Sequence, residues 1–375
     1  MHILTISDLP HFVTGGAEMQ AARLIEGWMD RGHEVICIGR RMGKGPVKIG
    51  RHLVQVRKIY TLPNLGRPGR GISYLFSLSV LLMRYRRWID VIYTRFLGEA
   101  AIVVTMLKRF GLLDIKLVAN PAGTRNQGDV HFLRSIPFTP YLIKLLDEEC
   151  DAINLISPLM DSELRQAGFS GQNFTHIPNG ITIRPLNRAS QHNNIKFITV
   201  GRIAPEKGLD LFLKAVAQLK DRLNPGQVII VGSGPEETKL RKQAKELQIN
   251  ELIEWTGHLN QSQVQARLNE ADVFVLPSRL EGLSNAGLEA MERGLAPIFS
   301  ACGGLDTYID KEIGWVVPCN DVLALSKAMS EALSMPMERI RDMGLQARSL
   351  IKQEFDIDII VDRYLDLFAK LHQIK

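Results

Sequence analysis

A chain of 375 residues is long enough for two buried cores, and a composition of 45% hydrophobic and 23% charged residues is that of ordinary globular domains, which excludes a disordered or low-complexity protein. The formal net charge of +6 is concentrated in the first half: residues 1–190 hold 24 Lys and Arg against 15 Asp and Glu, the remainder 22 against 25. Four cysteines, Cys37, Cys150, Cys302 and Cys319, are scattered without C-x-x-C spacing, which argues against a zinc site or a disulfide framework and fits a reduced, cytosolic compartment.

The opening MHILTISDLP reads as a first strand, because it lacks the basic segment, apolar core and cleavage site of a secretion signal. The longest apolar run beside a basic flank, residues 72–83, is broken by serines and falls far short of the ~20 residues of a spanning helix, so a soluble or peripheral protein is expected. Short β-rich runs at 2–7, 34–40, 53–59, 91–95, 116–120, 152–157 and 175–177 alternate with helical patterns, which predicts a mostly parallel sheet covered on both faces. After the first run, Gly15 and Gly16 let a backbone approach a ligand before a helix over 17–29; taken alone the pair is as readily a simple turn. From Arg40 to Arg95, thirteen basic residues face one acid, Asp90, with Tyr60, Tyr74, Phe76, Tyr85 and Trp88 among them. This is either a surface for anionic lipid or an acidic acceptor, or the solvated flank of a helix whose Leu75, Leu78, Leu82 and Tyr85 pack on a sheet. No nucleic-acid recognition motif accompanies the charge.

Polar residues at 183–194 mark an interdomain linker, after which the alternation resumes with strands at 197–201, 227–232, 253–257, 273–277, 296–300 and 314–317. Arg202 and Lys207 follow the strand at 197–201, in a loop held open by Pro205 and ended by Gly208. Two cations on one loop suit a diphosphate leaving group, whose oxygens gain charge as its bond to a sugar breaks. VGSGPE at 231–236 imitates a dinucleotide fingerprint, but the third glycine is missing and Pro235 opens the helix, so a nicotinamide site is disfavoured. The strand at 273–277 ends in a polar turn, and Ser284 and Asn285 are N-cap residues for a helix stopped by Gly294. A helix start is a seat for phosphate; Glu281 lies just before it, and Glu289 in the second turn can accept hydrogen bonds from two sugar hydroxyls. The last predicted helix, 358–372, carries Ile360, Tyr364, Leu365, Phe368 and Leu371 on one face.

The ordered set TGGAE (14–18), IPNGI (177–181), VGRIAPEKGLD (200–210), VGSGPE (231–236), TGHL (256–259) and PSRLEGLSNAGLEAMERGLAPIFSACGG (277–304) resembles the signature of the retaining family 4 of nucleotide-sugar glycosyltransferases and covers nearly the whole chain. The resemblance implies an α/β chain of the GT-B fold, with two Rossmann-like doubly wound domains facing across a cleft. Residues 1–185 would form the acceptor-side domain, with 358–375 packing back on it, and 186–357 the nucleotide-sugar domain. It implies catalytic roles for Arg202 and Lys207, on the diphosphate, and for Glu281, near the anomeric region of the donor sugar. Glu289 would hold the ribose hydroxyls, and the backbone N–H groups of Leu283, Ser284, Asn285 and Ala286 phosphate or sugar oxygens. Gly15 and Gly16 would approach the diphosphate, Gly232 the nucleoside, and Gly257 and Leu259 the base. The nucleotide sugar is a co-substrate, UDP first and GDP second on family frequency, with no other cofactor. No metal is expected, because the two cations and the helix start balance the diphosphate, and the one D-x-D, at Asp356 and Asp358, reads as a charged helix start.

Many family members carry His-Gly after the strand at 116–120, whereas this chain reads Asn120, Pro121, Ala122, Gly123. In a retaining reaction the departing phosphate can take the acceptor proton, and His11 or Asp129 could contribute; His11, Asn120 and Asp129 are the acceptor-side candidates. Thr182 and Asp306 are smaller departures from common acidic positions. The expected activity is retaining transfer to a glycan or lipid-linked saccharide, in the cytoplasm or peripherally at the inner membrane face. The alternatives are a GT-B sugar-nucleotide epimerase, which would turn over donor alone, and a non-catalytic nucleotide-sugar-binding partner, which would bind without product.

Overall fold

Runs of three to seven residues, most of them apolar, too short for stable helices and bounded by turn residues, pair side by side into sheets. The computed structural model describes residues 1–13, 15–43, 45–62, 66–123, 128–186 and 194–373; Thr14 and most of the predicted linker, 187–193, lie outside the described residues. The chain divides into two compact units, the first made of Met1–Thr182 with the segment from Ile357 onward, the second of Ile183–Asp356.

The first unit holds eight strands: β1 (His2–Ile6), β2 (Glu34–Gly39), β3 (Val47–Ile49), β4 (His52–Lys58), β5 (Val91–Arg95), β6 (Lys116–Asn120), β7 (Ala152–Leu155) and β8 (Phe174–His176). They line up as β3-β4-β2-β1-β5-β6-β7-β8. The pairs are parallel except β3 with β4, a hairpin turning at Gly50 and Arg51. β3 was not foreseen: three residues with Lys48 at the centre give no alternation to read. α1 (Gly16–Asp30), α2 (Gly66–Tyr85), α3 (Glu99–Arg109), α4 (Asp129–Arg134), α5 (Thr139–Glu149) and α6 (Pro158–Ala167) connect the strands. The strand order reverses between β1 and β5, and in open α/β sheets the crevice at such a reversal is the usual ligand position.

The second unit has β9 (Phe197–Val200), β10 (Val228–Val231), β11 (Ile253–Gly257), β12 (Val273–Leu276), β13 (Ala296–Ser300) and β14 (Trp315–Val317) in the order β11-β10-β9-β12-β13-β14, all parallel. Its helices are α7 (Leu209–Gln218), α8 (Glu237–Glu246), α9 (Gln261–Asn269), α10 (Asn285–Glu292), α11 (Val322–Ser334) and α12 (Met337–Glu354). Here the reversal falls between β9 and β12. Glu292, fully buried at the end of α10, is offset by Arg293 at 2.9 Å and Arg348 of α12 at 3.0 Å, and accepts the Arg184 N–H at 2.9 Å.

The final helix, α13 (Ile357–Gln373), belongs to the first unit and packs on α1. Trp28 of α1 is fully buried, with ring centroids 5.4 Å from Tyr93, 6.1 Å from Tyr364 and 5.5 Å from Phe368, within the range of favourable aromatic pairs. Beneath them the Tyr364 hydroxyl donates to Asn120 Oδ1 at 2.6 Å, and Asn154 Nδ2 donates to the Tyr364 oxygen at 2.8 Å, to Asn120 Oδ1 at 2.6 Å and to the Ile177 carbonyl at 2.8 Å. α13 is therefore knitted to β6 and β7 by polar contacts as well as by apolar burial. Tyr364→Phe should lower stability by about 0.5–1.5 kcal/mol, because it removes the buried hydroxyl's hydrogen bonds while the Asn120 and Asn154 amides keep each other and the Ile177 carbonyl as partners. Urea denaturation reads this directly, and an unchanged midpoint would show that the hydroxyl contributes nothing.

Candidate functional site

In the second unit, the reversal between β9 and β12 brings together the loops that follow them. β9 runs into Gly201 and the exposed Arg202, and the next loop closes as a 3₁₀ turn, Pro205–Lys207. After β12 the chain passes Ser278, Arg279 and Glu281 before α10 begins with Ser284 as N-cap, its Oγ accepting from the Gly287 N–H at 3.2 Å. Lys207 Nζ donates to Glu281 Oε2 at 2.5 Å, so this cation and acid engage each other across 74 residues of sequence. Arg279 ties the same loops: its guanidinium meets both Asp210 oxygens at 2.8 and 2.7 Å, the Pro205 carbonyl at 2.7 Å and Asn320 Oδ1 at 2.8 Å. Burial pushes the Asp210 carboxyl up, but the bidentate guanidinium and its charge prevail and hold it below the usual carboxylate range.

The glycines beside this seat serve close backbone approach. Gly232 has φ +131°, and a Cβ there would lie 1.9 Å from the Gly201 carbonyl oxygen. The Gly232 N–H in turn donates to the Gly257 carbonyl at 2.9 Å, which aligns the turns after β9, β10 and β11. Leu259 is half-buried just beyond Gly257. Leu283 and Ser284 are buried, Asn285 and Ala286 half-buried, and the buried Glu289 accepts from Gln261 Nε2 at 3.0 Å. The seat thus combines an exposed guanidinium, a helix N-terminus with its partial positive charge, and a carboxylate one turn further on.

In the first unit the reversal between β1 and β5 opens a cavity of about 410 Å³ lined by Asp8, Glu18, Arg40, Arg95, Glu99 and Asp129, with Tyr74, Phe96 and Phe132 as aromatic walls. Arg40 and Glu99 approach to 3.8 Å. Phe96, 41% exposed, sits directly after β5 with φ +81°, a left-handed conformation that costs a bulky residue strain. Asp129 starts α4 and is buried; it accepts the N–H groups of Leu97 at 2.7 Å, Ala122 at 3.0 Å and Gly123 at 3.4 Å. Burial pushes its carboxyl above the usual range, against the pull of those N–H groups and of Arg95.

The two halves of the chain match two family models: residues 14–184 match Glycosyltransferase Family 4 and residues 185–350 match Glycosyl transferases group 1. The chain belongs to the group 1, family 4 glycosyltransferases. A similar curated protein is a GDP-mannose-dependent monoacylated alpha-(1-6)-phosphatidylinositol monomannoside mannosyltransferase of Corynebacterium glutamicum, 27% identical over 62% of this chain and 65% of its own length. The match thus spans just under two thirds of that relative. Among solved structures, a sucrose-phosphate synthase from Thermosynechococcus elongatus superposes with TM-score 0.81 at 20% identity over 100% of both chains. Anabaena HepE in complex with UDP does so with TM-score 0.77 at 18% identity over 99% of this chain and 100% of its own. At these identities the superpositions establish the fold, which is GT-B.

Of the three residues expected from the sequence on the acceptor side, His11, Asn120 and Asp129, only Asp129 lines the cavity. Asn120 is fully buried and committed to Tyr364 and Asn154, and the exposed His11 stacks loosely on Phe12, ring centroids 6.4 Å apart. Gly15 caps α1 in extended conformation and the exposed Gly16 begins it. Arg279 and Phe96 carry no local pattern in the sequence that distinguishes them. Among the described residues no group of three or more His, Cys, Asp or Glu is arranged to hold a metal.

With its folded pKa raised, Asp129 holds its proton more tightly in the folded than in the unfolded protein. The associated stability is fully present below an unfolded pKa of about 3.9 and is lost as pH rises through the folded value. Asp129→Asn removes this term, so the stability lead of the parent over the variant should shrink from about pH 4 towards neutrality in paired urea titrations. A lead that widens over that range would overturn the assignment.

Proposed function

We propose that the protein is a retaining glycosyltransferase that moves a sugar from a nucleoside diphosphate to a hydroxyl of a glycan or lipid-linked saccharide. The observation that carries this reading is the seat at the β9–β12 reversal, where exposed Arg202 and the start of α10 offer positive charge to a diphosphate. Buried Glu289 supplies an acceptor for ribose hydroxyls, and Glu281, braced by Lys207, lies at the donor-sugar end. As the bond from the anomeric carbon to the β-phosphate oxygen breaks, charge grows on that phosphate and Arg202 stabilises it. The acceptor oxygen bonds to the anomeric carbon from the same face, and its proton passes to the departing phosphate oxygen. This route needs no protein base at position 120, in keeping with an Asn120 whose side chain is spent on α13. Arg202→Ala should reduce turnover about 10² to 10³-fold, measured as sugar transferred per unit time, and near-parent turnover would count against the role.

The donor nucleotide is UDP in the first instance and GDP in the second; a UDP complex of HepE and a GDP-mannose-dependent relative support one each. The cavity of the first unit suits the acceptor, since its carboxylates and guanidinia can pair with sugar hydroxyls and Phe96, Tyr74 and Phe132 offer apolar faces.

A lipid-linked acceptor is supported by α2. Its inner side buries Tyr74, Leu78 and Leu82, yet Ile72, Phe76 and Val80, at four-residue spacing, are 67%, 72% and 51% exposed. Exposed Arg70, Arg84, Arg86 and Arg87 flank this stripe. Apolar side chains bordered by arginines match the acyl–headgroup boundary of an anionic bilayer, and no described helix is long and apolar enough to cross one. This stripe supports the reading of a protein held peripherally at the cytoplasmic face of a membrane. Phe76→Glu should abolish most co-sedimentation with phosphatidylglycerol vesicles while leaving nucleotide binding intact; undiminished co-sedimentation would refute the contact.

A further inference from the structure

The three strands β12, β13 and β14 are neighbours and run parallel, so the residues just past their ends lie side by side. Ser300 pairs with Val317 in register, and the Ala301 N–H donates to the Val317 carbonyl at 2.8 Å. Carried two residues further, that register sets Cys302 opposite Cys319, and their Sγ atoms are 3.9 Å apart. Adjacent strands lie ~4.8 Å apart, within the Cα separations that a disulfide spans, so closure to a bond of about 2.0 Å asks for side-chain rotation rather than a new backbone path. Both thiols are free in this structure, with Cys302 buried and Cys319 partly exposed.

We propose that Cys302 and Cys319 are a reversible dithiol–disulfide pair that couples the redox state to the donor loop. The partly exposed Cys319 reacts first. Its thiolate attacks a small-molecule disulfide such as oxidised glutathione, forming a mixed disulfide and expelling one glutathione thiolate. Cys302 then attacks Cys319 Sγ, forming the protein disulfide and releasing the second. The two electrons and two protons leave the protein pair, and one glutathione disulfide is reduced to two thiols. Burial pushes the Cys302 thiol well up, with Cys319 and Asp306 adding to the effect, which suits the second and slower role.

The pair touches the donor loop in two ways. Cys302 Sγ donates to the Ser278 carbonyl at 3.0 Å, three residues before Glu281, and oxidation removes that donor. Two residues on, a Cβ at Gly304 would lie 2.4 Å from the Gly282 carbonyl oxygen, so the loop after β13 rests directly against the loop after β12. From the other side Asn320, next to Cys319, accepts from Arg279. A bond between the cysteines would staple together two loops that both brace residues 278–283.

The consequence for nucleotide binding rests on the donor-site reading, and the experiment separates the two. The intact protein is equilibrated with oxidised and reduced glutathione at varied ratio, then alkylated under denaturing conditions and peptide-mapped. The expected result is loss of two of the four thiols, a 302–319 cross-linked peptide, and its absence in Cys302→Ser and Cys319→Ser. Four free thiols at every ratio, or glutathione retained on Cys319, overturns the pair. Hydrogen exchange over residues 278–304 should differ between the two forms, and UDP or GDP affinity should fall about five- to tenfold on oxidation, the size of one lost hydrogen bond. Identical exchange and affinity overturn the coupling, whereas a reduced protein that binds neither nucleotide overturns the donor site and leaves exchange to judge the coupling.

Discussion

Close backbone contact between loops at the β9–β12 reversal is the constraint on which the rest of the second unit depends. Parallel strands leave their carboxyl ends crowded, and a phosphate seat there forms only if successive turns stack with no side chain between them. At the reversal itself a Cβ on Gly208 would lie 2.0 Å from the Pro277 carbonyl oxygen, and Gly232 against the Gly201 carbonyl and Gly304 against the Gly282 carbonyl continue the stack on either side; a methyl group at any of the three would collide with backbone. Once the turns are stacked, the backbone that carries Arg202 and the start of α10 is fixed, which is what the proposed diphosphate seat requires. Preorganised charge of this kind stabilises a transition state without reorganisation during the reaction.

The first unit meets the same need with less backbone economy. Its reversal opens a cavity of about 410 Å³ walled by side chains, and several of these are held by partners outside the cavity. Asp129 is fixed by three N–H groups, which orders the turn after β6 even though no histidine stands there. In this chain Asn120 faces inward to α13, and the turn after β6 is tied to a carboxylate nine residues later.

Much of this was legible in the sequence wherever the cause is local. Apolar runs gave the parallel strands, and Ser284 announced the start of α10. What escaped depends on distance along the chain. The Lys207–Glu281 pair spans 74 residues and the Asn120–Tyr364 bond 244, and neither leaves a periodic trace. The left-handed Phe96 was invisible because nothing in the residue type hints at a positive φ. On α2 the sequence marks Leu78 and Leu82 as inward-facing and Phe76 as part of a basic surface, but Ile72 and Val80 do not show as its extension into an outer stripe because serines interrupt the same run.

The docking of α13 on the first unit bears on how the molecule is made. A ribosome delivers the strands of the first unit early, yet the helix that covers Trp28 and completes the bonds of Asn120 and Asn154 is the last described element to emerge. The second unit, whose final helix α12 precedes it, is complete while the first still lacks its cover. Translation order and completion order are thus reversed for the two units, and the nascent N-terminal half must wait, with an apolar and amide-rich surface bare, until α13 has been made.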